Sequence, residues 1–172
     1  MKRPTRRILA SLALACAAHP GAGLACAIVA PEDQPRLRLE RIERTKAQAA
    51  ALRDEADLVF IGKMTQLSFQ RETVKNEEGR EIVLQKHLAS FDFVDNIKGS
   101  YAKGQTLEYT VNKNRVTISC EAIFRDNLPG ENGAGERYLV YARDGQILRT
   151  SHIPWHPQVL GAYQEAAHLR GQ

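Results

Sequence analysis

The chain has 172 residues, with 24 Lys and Arg against 20 Asp and Glu and a formal charge of +4 when its histidines are neutral. Four of the basic residues and none of the acidic ones fall in the first 25, so residues 26–172 are formally neutral. They hold no dense Lys/Arg cluster, which excludes the phosphate-neutralising surface of a nucleic-acid-binding domain.

Residues 1–25 have the three parts of a secretory signal: a basic start at Lys2, Arg3, Arg6 and Arg7, an apolar run over 8–18, and an exit region of small residues ending in Gly23-Leu24-Ala25. His19-Pro20-Gly21 interrupts the run well short of the roughly 20 apolar residues that span a bilayer. The expectation is a signal peptide over 1–25, removed on the way to the periplasm or the exterior, followed by one domain over 26–172, a size that suits a single core. Of the three cysteines, Cys16 leaves with the signal, while Cys26 and Cys120 remain, an even number in an oxidising compartment. A bond between them would restrict the unfolded chain by roughly 4 to 5 kcal/mol on the chain-entropy account. Two other fates stay open. Cleavage after Ala27 discards Cys26 and leaves Cys120 a free thiol, and Leu24-Ala25-Cys26 also reads as a lipid-attachment box that would acylate Cys26 and tether the protein to a membrane.

In chain order, residues 33–56 read as a helix. Asp33 can cap it, Pro35 suits its first turn, and Leu39, Ile42, Ala49 and Leu52 recur on one face, with Arg38, Arg41, Arg44 and Glu55 on the solvated side. Residues 57–67 are dense in large and β-branched apolar residues and read as a strand. A polar connection over 73–80 turns at Asn76 and Gly79, and a second strand over 84–97 alternates through Phe91 and Phe93, which are expected in the core. Gly99 and Gly104 bracket a short loop, 106–120 forms another extended run that bends or breaks near Asn112-Lys113-Asn114, and 125–135 is a polar, mobile surface loop. Residues 138–143 and 146–150 flank Asp144-Gly145, a strong hairpin signal because both turn positions tolerate positive φ. The tail over 157–170 has Val159, Leu160, Tyr163 and Ala167 at helical spacing. The order helix, several strands, helix has connections too short for many parallel crossovers, and it favours a small β-barrel flanked by helices.

No catalytic constellation emerges. His152 and His156 are separated by Pro154, which forbids a regular helix between them, so with His168 they would meet only by tertiary accident, and no intrinsic metal or cofactor is expected. Cys120 follows Ser119 and precedes Glu121, and His87 is a histidine upstream of it, but nothing around His87 marks it as a base for a thiolate. Gly130, Gly133 and Gly135 lack the lysine of a phosphate loop. Trp155 reads as an exposed anchor or, the simpler reading, as a lid over one end of the barrel.

Three strings together carry a resemblance. Ala56-Asp57-Leu58-Val59-Phe60-Ile61-Gly62-Lys63, Phe91-Asp92-Phe93-Val94-Asp95-Asn96-Ile97-Lys98-Gly99, and Ser119-Cys120 followed by Gly135-Glu136-Arg137-Tyr138-Leu139-Val140-Tyr141-Ala142 resemble, in order, segments of bacterial proteins similar to tissue inhibitors of metalloproteinases. The resemblance implies a netrin-like module: a mainly β fold with a five-stranded Greek-key barrel of the oligonucleotide/oligosaccharide-binding (OB) type, preceded by an N-terminal helix and followed by a C-terminal one. It further implies a non-enzymatic binding protein, with a zinc metalloprotease as its partner and Cys26 disulfide-bonded to Cys120. Cys26 and Ala27 would be the partner-binding start, the α-amino nitrogen and carbonyl of Cys26 chelating the partner's zinc. The family's usual Cys-x-Cys start is not kept, since Ile28 stands at the third position, so a second anchoring disulfide is absent. The alternative is an envelope docking or structural domain without inhibitory activity, bound to a membrane only if Cys26 is lipidated.

Overall fold

Two unbroken apolar runs, residues 58–61 and 138–142, organise the fold, because a strand buries such a run only when both of its faces are covered. A computed structural model describes residues 30–113, 124, 128–153 and 160–171, without the side chains of 93 and 94. Helix α1 (Gln34–Glu55) leads into β1 (Leu58–Lys75), β2 (Glu81–Lys98), β3 (Thr106–Asn112), β4 (Arg137–Arg143) and β5 (Gln146–Ile153), and α2 (Ala162–Leu169) follows. The protein is mainly β with two helices, as expected.

The strands pair in the order β1-β2-β3-β5-β4, and β4 returns to β1. All of these pairings are antiparallel except β3 with β5, a thin seam made by one parallel bridge between Glu108 and Gln146. Alternation along the strands produces two apolar layers. Phe60, Met64, Phe91, Leu107, Tyr109 and Val140 face the inside of this ring, while Val59, Ile61, Leu139, Tyr141 and Ile153 face outward, where they pack against Ala49 and Leu52 of α1 and Ala162, Ala166 and Leu169 of α2. Phe91 is core, as its alternation predicts.

Four details differ from the sequence reading. β1 does not stop at residue 67 but runs on to Lys75, pairing with β2 as far as Glu81, so only 76–80 remain as the turn. Cross-strand pairing of Thr73 with Val83 and Val74 with Ile82 outweighs the polar character of the segment. Asn76 makes the turn as anticipated, its Oδ1 accepting from the backbone N–H groups of Glu78 and Arg80, with Gly79 at φ 75°. Asp33 does not cap α1: it is itself in the α region, and its carboxylate accepts from Arg36 at 3.1 Å. On α1 only Ala49 and Leu52 are buried, and Leu39 is 64% exposed, because the first half of the helix extends past the sheet. Helix α2 turns a different face inward from the one expected: Ala162, Glu165, Ala166 and Leu169 are buried, and Tyr163 is 56% exposed.

Candidate functional site

The residues expected to carry function, Cys26, Ala27 and Cys120, lie outside the described residues, as do Ser119, Glu121, Trp155 and His156. What the structure describes is the chain that flanks them in sequence. On the N-terminal side, the N–H of Asp33 donates to the carbonyl of Ala30 at 3.0 Å, a turn that leads directly into α1. On the other side Phe124, four residues after Cys120, packs in the outer layer, between the ring and the helices.

The direction of α1 is set where three chain segments meet. Lys98, the last residue of β2, points its ammonium at the C-terminal end of α1 and donates to the carbonyls of Arg53 at 2.7 Å and Asp54 at 3.2 Å, where the helix dipole is negative. Gly99 follows at φ 70°, and a Cβ there would lie 2.2 Å from the Asp57 carbonyl oxygen, so glycine alone fits. Asp57 accepts the N–H of Asp144 at 2.9 Å, which holds the β4–β5 turn, and Asp144 and Gly145 take φ of 51° and 79° as a two-residue hairpin requires. Lys98, Gly99 and Asp57 therefore meet at one junction, which gives the cation, the glycine and the carboxylate at these positions a shared physical reason.

Phe124 and α2 are tied to the ring by a buried polar network that sequence reasoning missed. Glu165, 0% exposed, accepts from Arg149 Nη1 at 2.5 Å and Nη2 at 3.2 Å, and from the Tyr141 hydroxyl. Arg149 also donates through Nε to the carbonyl of Phe124 at 2.9 Å and lies 3.8 Å over the Phe124 ring. Burial, then the adjacent Glu165 carboxylate, pushes the Tyr141 hydroxyl far above the ordinary phenol range. One signal was present: Glu165 sits at helical spacing on the apolar stripe of α2. The other half was hidden, because the register shift between Tyr141 and Ala142 leaves Leu148 extra on β5 and re-aims Arg149 toward the helices.

The remaining titratable groups are dispersed. His152 lies 3.1 Å from Glu136 and against the Tyr138 ring, and His168 is on α2. Among the described residues no group of three metal-type side chains comes together. A cleft of about 150 Å3 is lined by Asp57, Ser100, Gln105, Leu107 and Gly145, half the size at which ligand pockets usually begin, roughly 300 Å3. Residues 128–135, expected as a mobile loop, are held against the ring by Tyr109, whose hydroxyl donates to the Pro129 carbonyl at 2.9 Å, and by Tyr138, which reaches the Gly133 carbonyl at 3.4 Å. No known family model matches this chain, and no curated protein is significantly similar to it.

Proposed function

We propose that the ring is an OB-type barrel of the netrin kind, and that the protein is an exported, non-enzymatic binding module whose Cys26 terminus engages a zinc metalloprotease. The observation that carries this reading is the strand order β1-β2-β3-β5-β4 with its single parallel seam, combined with α1 packed outside the ring.

The inhibitory chemistry is simple. An α-amino group with pKa near 8 loses its proton at small cost, and with the adjacent carbonyl it can take the open coordination position of a catalytic zinc. Without a second anchoring disulfide the terminus pays more ordering entropy on binding, so affinity below that of a doubly stapled start is expected. The test is inhibition of a panel of zinc metalloproteases by the exported protein, by a version with one extra N-terminal residue, and by Cys120→Ser. Inhibition lost on extension supports chelation. Equal potency after extension refutes it. Intact mass of the exported protein comes first: a deficit of two hydrogens against the reduced chain supports the Cys26–Cys120 bond, whereas a lipid adduct excludes a free chelating terminus.

The second reading, an envelope docking domain, draws on the first half of α1, where Leu39 is 64% exposed and only positions from Ala49 onward are buried. It predicts retained association with the envelope fraction and no protease inhibition by any form.

A further inference from the structure

One end of the ring holds polar groups that the inhibitory reading does not use. Gln85 and His87 alternate with Ala89 and Phe91 on the inward face of β2, and they are 0% and 1% exposed. The His87 ring stacks on Tyr109 of β3, centroids 4.5 Å apart and planes 19° apart, with Phe69 of β1 at 5.6 Å on a tilted approach. Neither ring nitrogen of His87 has a hydrogen-bond partner among the described residues. Charged groups approach from three elements: Arg71 on β1, Lys113 just past β3, and Glu131 in the strap formed by residues 128–135. Glu131 gathers the two cations, taking Lys113 Nζ at 2.8 Å and Arg71 Nη2 at 3.8 Å. The same strap is fastened by the hydroxyl of Tyr109, the residue on which His87 stacks.

We propose that His87 is a proton-operated release for the strap over residues 128–135. A neutral imidazole fits between aromatic rings. An imidazolium there has lost its water and faces Lys113, whose own counterion, Glu131, is already engaged. Burial first, and then Lys113, lowers the proton affinity of His87 below the ordinary imidazole value, with Glu131 opposing. The charged ring is relieved when the strap lifts and admits water, so proton uptake and opening are one linked event. Lifting separates Glu131 from Lys113 and Arg71 and bares the apolar mouth around Phe69 and Tyr109. If one proton is taken up on opening, the opening constant rises tenfold per pH unit below about 6.5, until the value of the closed form is reached. This device is independent of whether the terminus inhibits a protease.

The experiment is native-state hydrogen exchange on the full exported chain between pH 7.5 and 5, corrected for the pH dependence of intrinsic exchange, with the His87 ring followed by NMR in the same samples. In the wild type, the amides of Gly135, which donates to the Met64 carbonyl of β1 at 2.8 Å, and of buried Gly133 should lose up to tenfold protection per pH unit, while that of Val140 in β4 holds. In His87→Phe, which keeps the stacking and cannot titrate, strap protection should be flat over the same range. The proposal is overturned by an equal pH slope in His87→Phe, by parallel loss of protection at Val140, which would be global unfolding, or by a His87 ring that titrates at or above 6.5 in the closed form. The ring titration is read on the wild type, so the test stands even if the variant does not fold.

Discussion

Replacing Glu165 by alanine probes the tie between α2 and the ring. Glu165 is fully buried and receives both terminal nitrogens of Arg149 and the Tyr141 hydroxyl. Removing it leaves the guanidinium, 6% exposed, with the Phe124 carbonyl as the acceptor that remains among the described residues. Breaking one side of a buried ion pair costs about 3 to 5 kcal/mol, because the surviving charge keeps its desolvation cost without its partner. For a domain of this size that corresponds to a melting-point drop of roughly 6 to 20 °C. An eight-residue helix has little stability of its own, so α2 should detach before the ring unfolds. Thermal melts and limited proteolysis around residues 160–171 read the two effects separately. The companion variant removes both charges and the hydroxyl that Glu165 accepts from, Arg149→Met with Glu165→Leu and Tyr141→Phe, and should recover most of the loss, since an apolar cluster of similar volume is often neutral or stabilising. A triple variant as unstable as Glu165→Ala would refute the account of an uncompensated charge and point to lost shape instead.

Lys98→Met should lower stability by about 1 kcal/mol and raise hydrogen exchange in the last turn of α1, because two terminal carbonyls lose their donor; unchanged exchange there would remove the proposed anchor. Gly79→Ala and Gly99→Ala separate strain from crowding: both sites have positive φ, but only Gly99 would press a Cβ onto backbone, so about 1 kcal/mol is expected at Gly79 and roughly 3 kcal/mol or more at Gly99 by chemical denaturation. The Glu131 carboxyl is held below its ordinary value, first by Lys113 and then by Gln85, so its folded pKa lies under the unfolded one. Its contribution is complete above about pH 4.5 and lost as the pH falls further, and Glu131→Gln should flatten that acid limb of a stability-against-pH curve. His87 acts in a higher window with the same sign. Its depressed folded pKa means stability is complete above about 6.5 and declines as the pH falls toward the folded value, a slope that His87→Phe should remove.

Much of the scaffold was legible in the residues. The β4–β5 hairpin could be read from Asp144-Gly145, because few sequences accept positive φ twice in succession. The core position of Phe91 followed from period-two alternation, and the body of α1 from its spacing and Pro35. The length of the β1–β2 ribbon was not legible, since its outer half is polar and depends on register between strands rather than on composition. The buried Arg149 escaped for a related reason: one extra residue on β5 exchanges inside for outside, and no local pattern announces the shift. The candidate site divides in the same way. Cys26 and Cys120 stand out in the sequence as the cysteines outside the signal-like segment, whereas the Lys98 anchor and the Glu131 strap exist only through contacts between distant segments.

Alone, the sequence determined the alternation, the turns and the helical stretches, because these depend on bond geometry and on neighbours within a few residues. Tertiary structure decided which half of α1 is covered, which face of α2 turns inward, and which charges share a buried space. Those outcomes depend on the closing of the ring, where pairing between strands remote in the chain sets each side chain's environment and therefore its partners, its burial and its affinity for protons.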